Sequence, residues 1–248
     1  MKQKILKKRI QREDAMMSRE NNYSTISVVI AALNEEKGIS PTLKELYEVL
    51  SDPQFIVIDG NSFDRTFDIA KKMGAEVLLQ KGKGKGDAIY QGINQISSNT
   101  RYVVFIDADH TYPAKYIPIM IEILEKNSNI GMVVGNRFNG EHNFKKSITN
   151  LFYIGNRFIA FVQNVLNGIK LSDPLSGLRV VRYKFVRGWK PESKGFDIEA
   201  EINFRVKRTG YKIVEIPIGY RKRLGEKKLK LHHGYVILKR ILAQSLTI

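Results

Sequence analysis

The chain contains no cysteine among its 248 residues and only 4 histidines. The absence of cysteine excludes disulfides, thiolate nucleophiles and cysteine metal sites, and it suits a reducing cytosol. The histidines show no spacing typical of a zinc site, and the sequence has neither a Ser-His-Asp pattern nor a Gly-x-Ser-x-Gly turn. Hydrolase and zinc-enzyme chemistry therefore have little support.

Long apolar runs are also missing, since none approaches the ~20 residues of a membrane-spanning helix. The first 24 residues are basic and lack the apolar core of a secretory signal, so we expect a basic N-terminal arm at 1–24. The last segment, 231–248, is apolar with basic residues on one side and predicts an amphipathic helix that can lie on a bilayer. Any membrane contact should be peripheral, and 25–230 forms the main domain.

Acidic residues are in deficit, with 41 Lys and Arg against 25 Asp and Glu and a net charge of +16. This balance indicates an anionic partner, which could be nucleic acid, a phosphorylated metabolite or an anionic lipid surface. The charges are spread over the arm, a Gly-Lys loop and residues 221–230, whereas a nucleic-acid reader would concentrate them on one groove-facing element. We therefore expect no nucleic-acid partner.

The first half of the chain alternates apolar strands with helical segments. A helix is predicted to open at Ser40-Pro41 and end near Leu50, and another to begin at Asp64. Such alternation is typical of an α/β fold with a parallel sheet, in which ligands bind at the carboxyl ends of the strands. The predicted strands lie at 26–33, 55–59, 75–80, 101–107 and 130–137.

The second half is less regular. Residues 151–166 predict an amphipathic helix that could pack on the sheet or lie on a membrane surface. A further helix is predicted from a cap at Asp197 to Gly210. The strand that follows contains Pro217, which should confine it to an edge or an end.

Polar residues cluster where four of the predicted strands end. They are Asn34, Glu35, Asp59, Asn61, Asp107, Asp109, Asn136 and Arg137. Carboxylates two apart on an extended chain point the same way, and Mg²⁺ or Mn²⁺ needs one or two such groups to hold it against phosphate oxygens. Asp107 and Asp109 therefore predict a metal-linked diphosphate site.

The stretch KGKGKGDA, residues 81–88, places lysines among glycines just before a predicted helix. Backbone N–H groups, a helix N-terminus and ammonium groups can there face one anion. The stretch is not a Walker A loop, which would need Gly-x-x-x-x-Gly-Lys-Ser/Thr.

The ordered set of these segments resembles a known family. SVVIAALNEEKGI, VIDGNSFDRT, GKGDA and FIDADHTYP resemble the nucleotide-sugar half of the inverting family 2 glycosyltransferases. DPLSGLRVVR, SKGFDIEAEI and EIPIGYRKRLGEKKL are similar to the dolichol-phosphate mannose synthase branch, which transfers a sugar onto a polyprenyl phosphate. The resemblance implies a GT-A fold, a Rossmann-like and mostly parallel sheet flanked by helices, over residues 25–230.

The resemblance also implies roles for individual residues. Asp107 and Asp109 would hold the metal, and together with Arg223 and Lys228 they would form the catalytic set. The implied nucleotide-sugar site comprises Ala31, Leu33, Asn34, Glu35, Asp59, Asn61, Lys85, Asp107, Ala108 and Arg137. The implied acceptor-phosphate site comprises Arg137, Arg179, Arg223 and Lys228.

The implied reaction is metal-dependent transfer of a hexose to a polyprenyl or dolichyl phosphate, with Mg²⁺ or Mn²⁺. The enzyme would work at the cytoplasmic face of the membrane, held there peripherally or by a membrane-anchoring partner subunit. Asp173, Ser176 and Arg179 match the branch's Asp-x-x-Ser-Gly-Phe-Arg pattern, with Leu178 in place of Phe. Thr111 stands where the mannose synthases carry glutamine, so the donor stays open among GDP-mannose, UDP-glucose and UDP-N-acetylglucosamine.

Two acceptor classes follow from the chemistry. A lipid monophosphate, with a second pKa of about 6 by analogy with phosphorylated side chains, is already an anionic nucleophile and needs a cationic cradle. The basic stretch from Arg221 to Lys230 can supply that cradle. A polysaccharide or protein hydroxyl acceptor would instead need a carboxylate base, for which Glu199 and Glu201 are the candidates.

Overall fold

The computed structural model describes residues 25–138 and 151–247, with side chains described from residue 153 in the second range. The predicted basic arm at 1–24 lies outside the described residues. The strands are β1 (Ile26–Ala32), β2 (Gln54–Asp59), β3 (Glu76–Leu79), β4 (Tyr102–Phe105), β5 (Ile130–Asn136), β6 (Arg179–Arg182) and β7 (Lys212–Pro217). The α-helices are α1 (Glu36–Val49), α2 (Thr66–Lys72), α3 (Lys85–Ile93), α4 (Ile117–Lys126), α5 (Leu151–Asn167), α6 (Ile198–Arg208) and α7 (Leu231–Ser245).

The strands form one 7-stranded sheet in the order β3-β2-β1-β4-β6-β5-β7. β1 pairs in parallel with β2 and β4, β2 with β3, and β5 with β7. Only β6 runs antiparallel to its neighbours β4 and β5 within this sheet. The predicted mostly parallel α/β architecture is therefore confirmed, and β7 lies at a sheet edge as Pro217 requires.

Two features of the sequence prediction need correction. The strand β6 was not predicted from the sequence, because its only apolar residues are Val180 and Val181, which lie between two arginines. The helix expected to open at Ser40-Pro41 begins at Glu36, because the Glu35 carbonyl already accepts the N–H groups of Gly38 and Ile39 at 2.9 and 2.8 Å. Pro41 thus lies inside α1. Because proline has no N–H, the helix lacks only the hydrogen bond to the carbonyl of Lys37, which is an exposed residue.

Helices cover both faces of the sheet. Leu43 of α1 and Met120 of α4 belong to the buried cluster on one face, together with Ala70 of α2. Ile89 of α3 and Ile202 of α6 belong to the buried cluster on the other face. Because both faces are covered, the strands are nearly continuous apolar runs, and the polar groups that end them collect at one edge.

The C-terminal helix α7 packs against α5 and α6. Ile237 and Ile241 are buried in a separate cluster with Ile159 of α5 and Ala200 of α6. The opposite face of α7 is apolar and exposed, and it carries Leu231, Tyr235, Val236 and Leu242. The predicted amphipathic helix is therefore present, and part of its apolar surface packs within the protein.

Candidate active site

The polar residues predicted at the strand ends lie at the carboxyl ends of adjacent strands. Asn34 and Glu35 follow β1, Asp59 ends β2, and Asp107 and Asp109 follow β4. These three strands are neighbours in the order β2-β1-β4, whereas β5 and its Arg137 are separated from β4 by β6. The crevice expected from the sequence is thus formed mainly by β1, β2 and β4.

Lys85 links the Gly-Lys loop to the first aspartate of the Asp-Ala-Asp stretch. Its Nζ lies 2.6 Å from Oδ1 of Asp107 and 2.6 Å from Oε1 of Glu199. Burial alone would lower the pKa of Lys85, but the two carboxylates raise it above its ordinary value. Burial alone would raise the pKa of Asp107, and the charge of Lys85 holds it below its usual range. Lys85 and Asp107 therefore remain charged at neutral pH.

Asp109, the second aspartate, is fixed from two sides. Its Oδ1 accepts the backbone N–H and the hydroxyl of Thr111 at 3.0 and 2.6 Å. Its Oδ2 lies 2.9 Å from Nη1 of Arg223. The carboxylate is only 2% exposed, so its orientation is set by these partners.

The basic stretch after β7, residues 221–230, folds over the ends of β1 and β4. Arg223 bridges Glu35 and Asp109, and Lys228 donates to Oε1 of Glu35 and to the Asn34 carbonyl at 2.8 and 2.9 Å. Arg221 pairs with Glu45 of α1 at 2.6 Å. Burial raises the pKa of Glu35 above its usual value, although Lys228 and Arg223 act in the opposite direction. The basic residues predicted to bind the acceptor phosphate therefore lie next to the carboxylates predicted to bind the metal.

The predicted nucleoside-binding residues form the other side of the crevice. The Oδ1 atoms of Asn34 and Asp59 accept backbone N–H groups of Phe63 and Ser62, at 2.8 Å each. Oε2 of Glu35 and Oδ2 of Asp59 are buried and have no hydrogen-bond partner in the part of the chain that the structure describes. Unsatisfied buried acceptors of this kind are suited to hydroxyl or N–H donors of a ligand.

The remaining predicted nucleotide residues lie on the same elements. Ala31 is half-buried in β1 opposite Ile58, and Leu33 is exposed just after that strand. Asn61 donates its amide to the Gln80 carbonyl at 3.1 Å, which ties β2 to the chain after β3. The carbonyl of Ala108 lies 3.4 Å from the hydroxyl of Thr42 in α1.

Arg137 is held by a buried carboxylate. It donates Nε–H and Nη2–H to the two oxygens of Asp173 at 2.7 Å each, and its backbone N–H also bonds to Asp173. Burial would lower the pKa of Arg137, and Asp173 raises it well above the ordinary value. Its guanidinium also lies over the ring of Tyr220, 5.4 Å from the centroid. The phosphate contact predicted for Arg137 stays a prediction.

Arg179 has a different environment from the one expected of a phosphate ligand. Its side chain is 1% exposed, and its terminal nitrogens donate to the carbonyls of Pro174, Ser176 and Glu199 and to Asn203. This arrangement fixes the turn that leads into β6. The predicted role in binding the acceptor phosphate stays a prediction, and the observed contacts favour a supporting role instead.

Glu199 and Glu201, the two candidates for a general base, both have ion-pair or hydrogen-bond partners. Glu199 pairs with Lys85, and the two oxygens of Glu201 accept the backbone N–H groups of Glu192 and Ser193 at 3.0 and 2.7 Å. Both residues are largely buried, with 6% of Glu199 and 8% of Glu201 exposed. Neither carboxylate is arranged to take a proton from a hydroxyl acceptor.

Sequence reasoning missed one support of the site. Glu215 in β7 accepts the backbone N–H groups of Ser172 and Asp173 at 2.8 and 2.6 Å, and so it holds the segment that grips Arg137. Burial raises the pKa of Glu215 above its usual value. A charged residue inside the otherwise apolar run IVEIP was the signal that could have identified it.

The residues present fit a divalent cation held together with a ligand. Within 25–138 and 151–247, no group of three or more histidine, aspartate or glutamate side chains is arranged to hold a metal ion by itself. Asp107 and Asp109 offer oxygen ligands only, which is the donor type that Mg²⁺ and Mn²⁺ prefer when phosphate and water complete the shell. The site therefore suits a metal–diphosphate complex better than a free ion.

Comparison with known proteins shows the family. The model of the family described as glycosyl transferase family 2 matches residues 27–188. The chain belongs to glycosyl transferase family 2. It is therefore an enzyme of the glycosyltransferase class, as the resemblance in the sequence predicted.

Relatives from archaea carry names of the dolichyl-phosphate type. A dolichyl-phosphate hexose transferase of Haloferax volcanii is 31% identical over 212 residues, which cover 85% of this chain and 89% of that relative. The dolichol-phosphate mannosyltransferase of Pyrococcus furiosus is 27% identical over 235 residues, which cover 86% of this chain and 64% of that relative. The hexosyltransferase Agl6 of Haloferax volcanii is 30% identical, and the chain spans only 53% of its length.

A solved structure shows the fold family. Glucosyl-3-phosphoglycerate synthase from Mycobacterium tuberculosis, in complex with Mn²⁺, UDP-glucose and phosphoglyceric acid, matches with a TM-score of 0.68 at 23% identity. The match covers 90% of this chain and 79% of that chain. The predicted GT-A fold of this family 2 member is thereby confirmed.

Proposed function

We propose that this glycosyltransferase transfers a hexose, with inversion, from a nucleotide sugar to a polyprenyl or dolichyl phosphate. The donor is GDP-mannose, UDP-glucose or UDP-N-acetylglucosamine, and the product is a lipid-phosphate-linked sugar used in glycan assembly. The names of the Haloferax and Pyrococcus relatives support this acceptor class.

One observation carries the proposal. Arg223, from the basic 221–230 stretch, touches Asp109 and Glu35 at once. Cations that suit a lipid phosphate are thus next to the carboxylates that suit a metal–diphosphate complex. A donor diphosphate and an acceptor phosphate bound there would meet at the sugar between them.

Asp107 and Asp109 would hold Mg²⁺ or Mn²⁺, which when bound neutralises charge on the leaving diphosphate. Lys85 keeps Asp107 ionised, and the hydroxyl of Thr111 orients Asp109. On the nucleoside side, Asn34, Glu35 and Asp59 would bind the ribose and base, Glu35 and Asp59 through their buried oxygens without a partner in the described residues. Ala31, Leu33, Asn61 and Ala108 would flank them.

The reaction needs no protein base for a phosphate acceptor. An acceptor oxygen forms the new bond to the anomeric carbon while the bond to the diphosphate breaks, so an α-linked donor gives a β-linked product. Arg223 and Lys228 would hold the acceptor phosphate together with Arg137. Charge-assisted contacts of this kind give both strength and geometry.

Peripheral contact with the cytoplasmic membrane face would bring the enzyme to its lipid acceptor. Among the helices of the two described ranges, none is long and apolar enough to cross a membrane. Ile154, Phe158, Phe161 and Val165 form an exposed apolar row on α5, the helix that packs against α7. The two rows together can enter the interfacial layer of a bilayer.

A hydroxyl acceptor on a polysaccharide or protein is the second candidate. It requires a free carboxylate base, and the engagement of Glu199 with Lys85 and of Glu201 with two backbone N–H groups counts against it.

The test is transfer of radiolabelled sugar from a panel of GDP- and UDP-sugars to a short polyprenyl phosphate, with Mg²⁺ or Mn²⁺ and with chelator. We expect one donor to be used, and activity to be lost with chelator and in Asp109→Ala. The variant Arg187→Ala, which removes an exposed arginine far from the crevice, is the matched control. Absence of transfer from every donor by the folded wild type would overturn the proposal.

A further inference from the structure

Besides its apolar packing against α5 and α6, helix α7 contacts the protein through a partly buried arginine, Arg240. Nε of Arg240 lies 3.1 Å from Oδ2 of Asp197 and 3.9 Å from Oε2 of Glu201, and its Nη1 lies 2.5 Å from Oε2 of Glu192. The Arg240 side chain is 16% exposed, and those of Asp197 and Glu201 are 5% and 11% exposed. Arg240 thus places one positive charge beside two largely buried carboxylates and the exposed Glu192.

Two of these carboxylates hold the loop at 192–195. Glu201 accepts the N–H groups of Glu192 and Ser193, and Oδ1 of Asp197 accepts the N–H of Gly195 at 3.2 Å. The path of this loop therefore depends on where the two carboxylates point. Arg240 contacts the other oxygen of Asp197 and one oxygen of Glu201, so it helps to set that orientation.

The same loop supports the Gly-Lys loop directly. The carbonyl of Lys194 accepts the N–H groups of Gly86 and Asp87 at 2.9 and 3.3 Å. The backbones are so close that a Cβ on Gly84 would lie 2.3 Å from the Lys194 oxygen. Lys85 stands between these glycines, and its ammonium reaches Asp107 and Glu199.

We infer that Arg240 is a positioning residue that acts on Lys85 through the 192–195 loop. The packing of α7 thereby sets how firmly Lys85 is held against Asp107. This inference rests on the proposed function, in which Asp107 takes part in transfer and α7 faces lipid. Its consequence is that a change in the seating of α7, such as contact with a bilayer, changes the rate of transfer at a site that α7 does not touch.

A purely structural role for Arg240 makes a different prediction. Removing a partner from buried carboxylates lowers stability in either case. If Arg240 has only a structural role, its loss lowers the amount of folded enzyme. The enzyme that does fold then turns over at the normal rate. If Arg240 has a positioning role, its loss lowers the turnover of the folded enzyme. That loss of turnover occurs only when Lys85 is present.

The first experiment is hydrogen exchange of the ligand-free protein, which needs no substrate. In Arg240→Ala we expect the amides of Gly86 and Asp87 to exchange faster, with core strands β1 and β4 unchanged. Lys239→Ala, which removes an exposed charge one residue away on the same helix, should leave these amides as in wild type. Arg240→Lys should restore part of the protection. Unchanged exchange at Gly86 and Asp87 would overturn the inference.

The second experiment is a double-mutant cycle on transfer activity. Arg240→Ala should lower kcat about tenfold with little change in the donor KM, and Lys85→Ala should lower it further. If Arg240 acts through Lys85, the double variant Lys85→Ala/Arg240→Ala is about as active as Lys85→Ala alone. Multiplicative losses in the double variant contradict the inference. If the wild type transfers no sugar, the proposed function fails. The hydrogen-exchange result still decides whether Arg240 of α7 supports the Gly-Lys loop through the 192–195 loop. If Arg240→Ala does not fold, Arg240→Gln replaces it in both experiments.

Discussion

Arg223 is the residue on which the crevice depends most, because it bridges Glu35 and Asp109. Arg223→Ala should lower kcat/KM about 10²-fold, the usual cost of losing one group that stabilises transition-state charge. The measurement is steady-state transfer at saturating metal. Arg223→Lys should retain part of the activity because it keeps the positive charge. It should not restore all of it, because lysine cannot reach both carboxylates. Wild-type activity in Arg223→Ala would remove this residue from the catalytic set.

Glu215 gives a prediction about pH and stability. Because burial raises its pKa in the folded protein, the folded state binds the proton more tightly than the unfolded state. The contribution of Glu215 to stability is therefore greatest at low pH, and it declines as the pH rises from the ordinary glutamate value of about 4.3 through the raised value. Glu215→Gln should lack this component. Parallel curves of unfolding free energy against pH for the two proteins would contradict the assignment.

At the scale of elements, the approach of α1 to the Asp-Ala-Asp stretch depends on the absence of a side chain at Gly38. A Cβ there would lie 2.6 Å from the Ala108 carbonyl oxygen and 2.7 Å from Cα of Asp109. Gly38→Ala should lower the free energy of unfolding by about 1–3 kcal/mol and reduce activity. The matched control is Gly155→Ala in α5, where none of the described residues lies within 4 Å, and it should stabilise the helix by about 0.5–1 kcal/mol. Equal melting temperatures for the two variants would show that the contact is not tight.

The exposed rows on α5 and α7 predict binding to lipid. Phe158→Ser combined with Phe161→Ser should reduce sedimentation with anionic vesicles at least tenfold, because each buried Phe contributes about 1.5–3 kcal/mol. Ile119→Ser changes an equally exposed apolar residue on α4 and serves as the control. If the wild type does not sediment with vesicles at all, a membrane-anchoring partner subunit becomes the better account of how the enzyme reaches its lipid acceptor.

The elements also show what local sequence signals can predict. The strands that end in polar residues were found because apolar runs and turn residues are local patterns. β6 was missed because it depends on pairing with distant parts of the chain. The start of α1 was misplaced because Ser40-Pro41 is typical of a helix start, whereas the first helical hydrogen bonds go to the Glu35 carbonyl. Pairing of Val180 with β4 and β5 makes the short β6 stable, and no neighbour in sequence reveals it.

At the scale of the whole molecule, the sequence predicted which residues meet but not how they pair. Lys85 was expected at the nucleotide sugar and Glu199 as a base, whereas the fold makes them partners of each other and of Asp107. Arg179 was expected at a phosphate and is surrounded by carbonyl groups. The partners of Lys85 lie more than 20 residues away in the sequence, so only the tertiary structure shows them. The net charge of +16 is compatible with an anionic lipid surface and phosphate ligands.

The central claim is that a lipid phosphate accepts the sugar without a protein base. The most direct measurement compares two acceptors with the same polyprenyl chain, one ending in a monophosphate and one in a free hydroxyl, with the donor that the wild type uses. We predict transfer to the phosphate alone, unchanged in pattern by Glu201→Gln, with a β-linked product from an α-linked donor. Equal transfer to the free polyprenol would contradict the account and favour a hydroxyl acceptor.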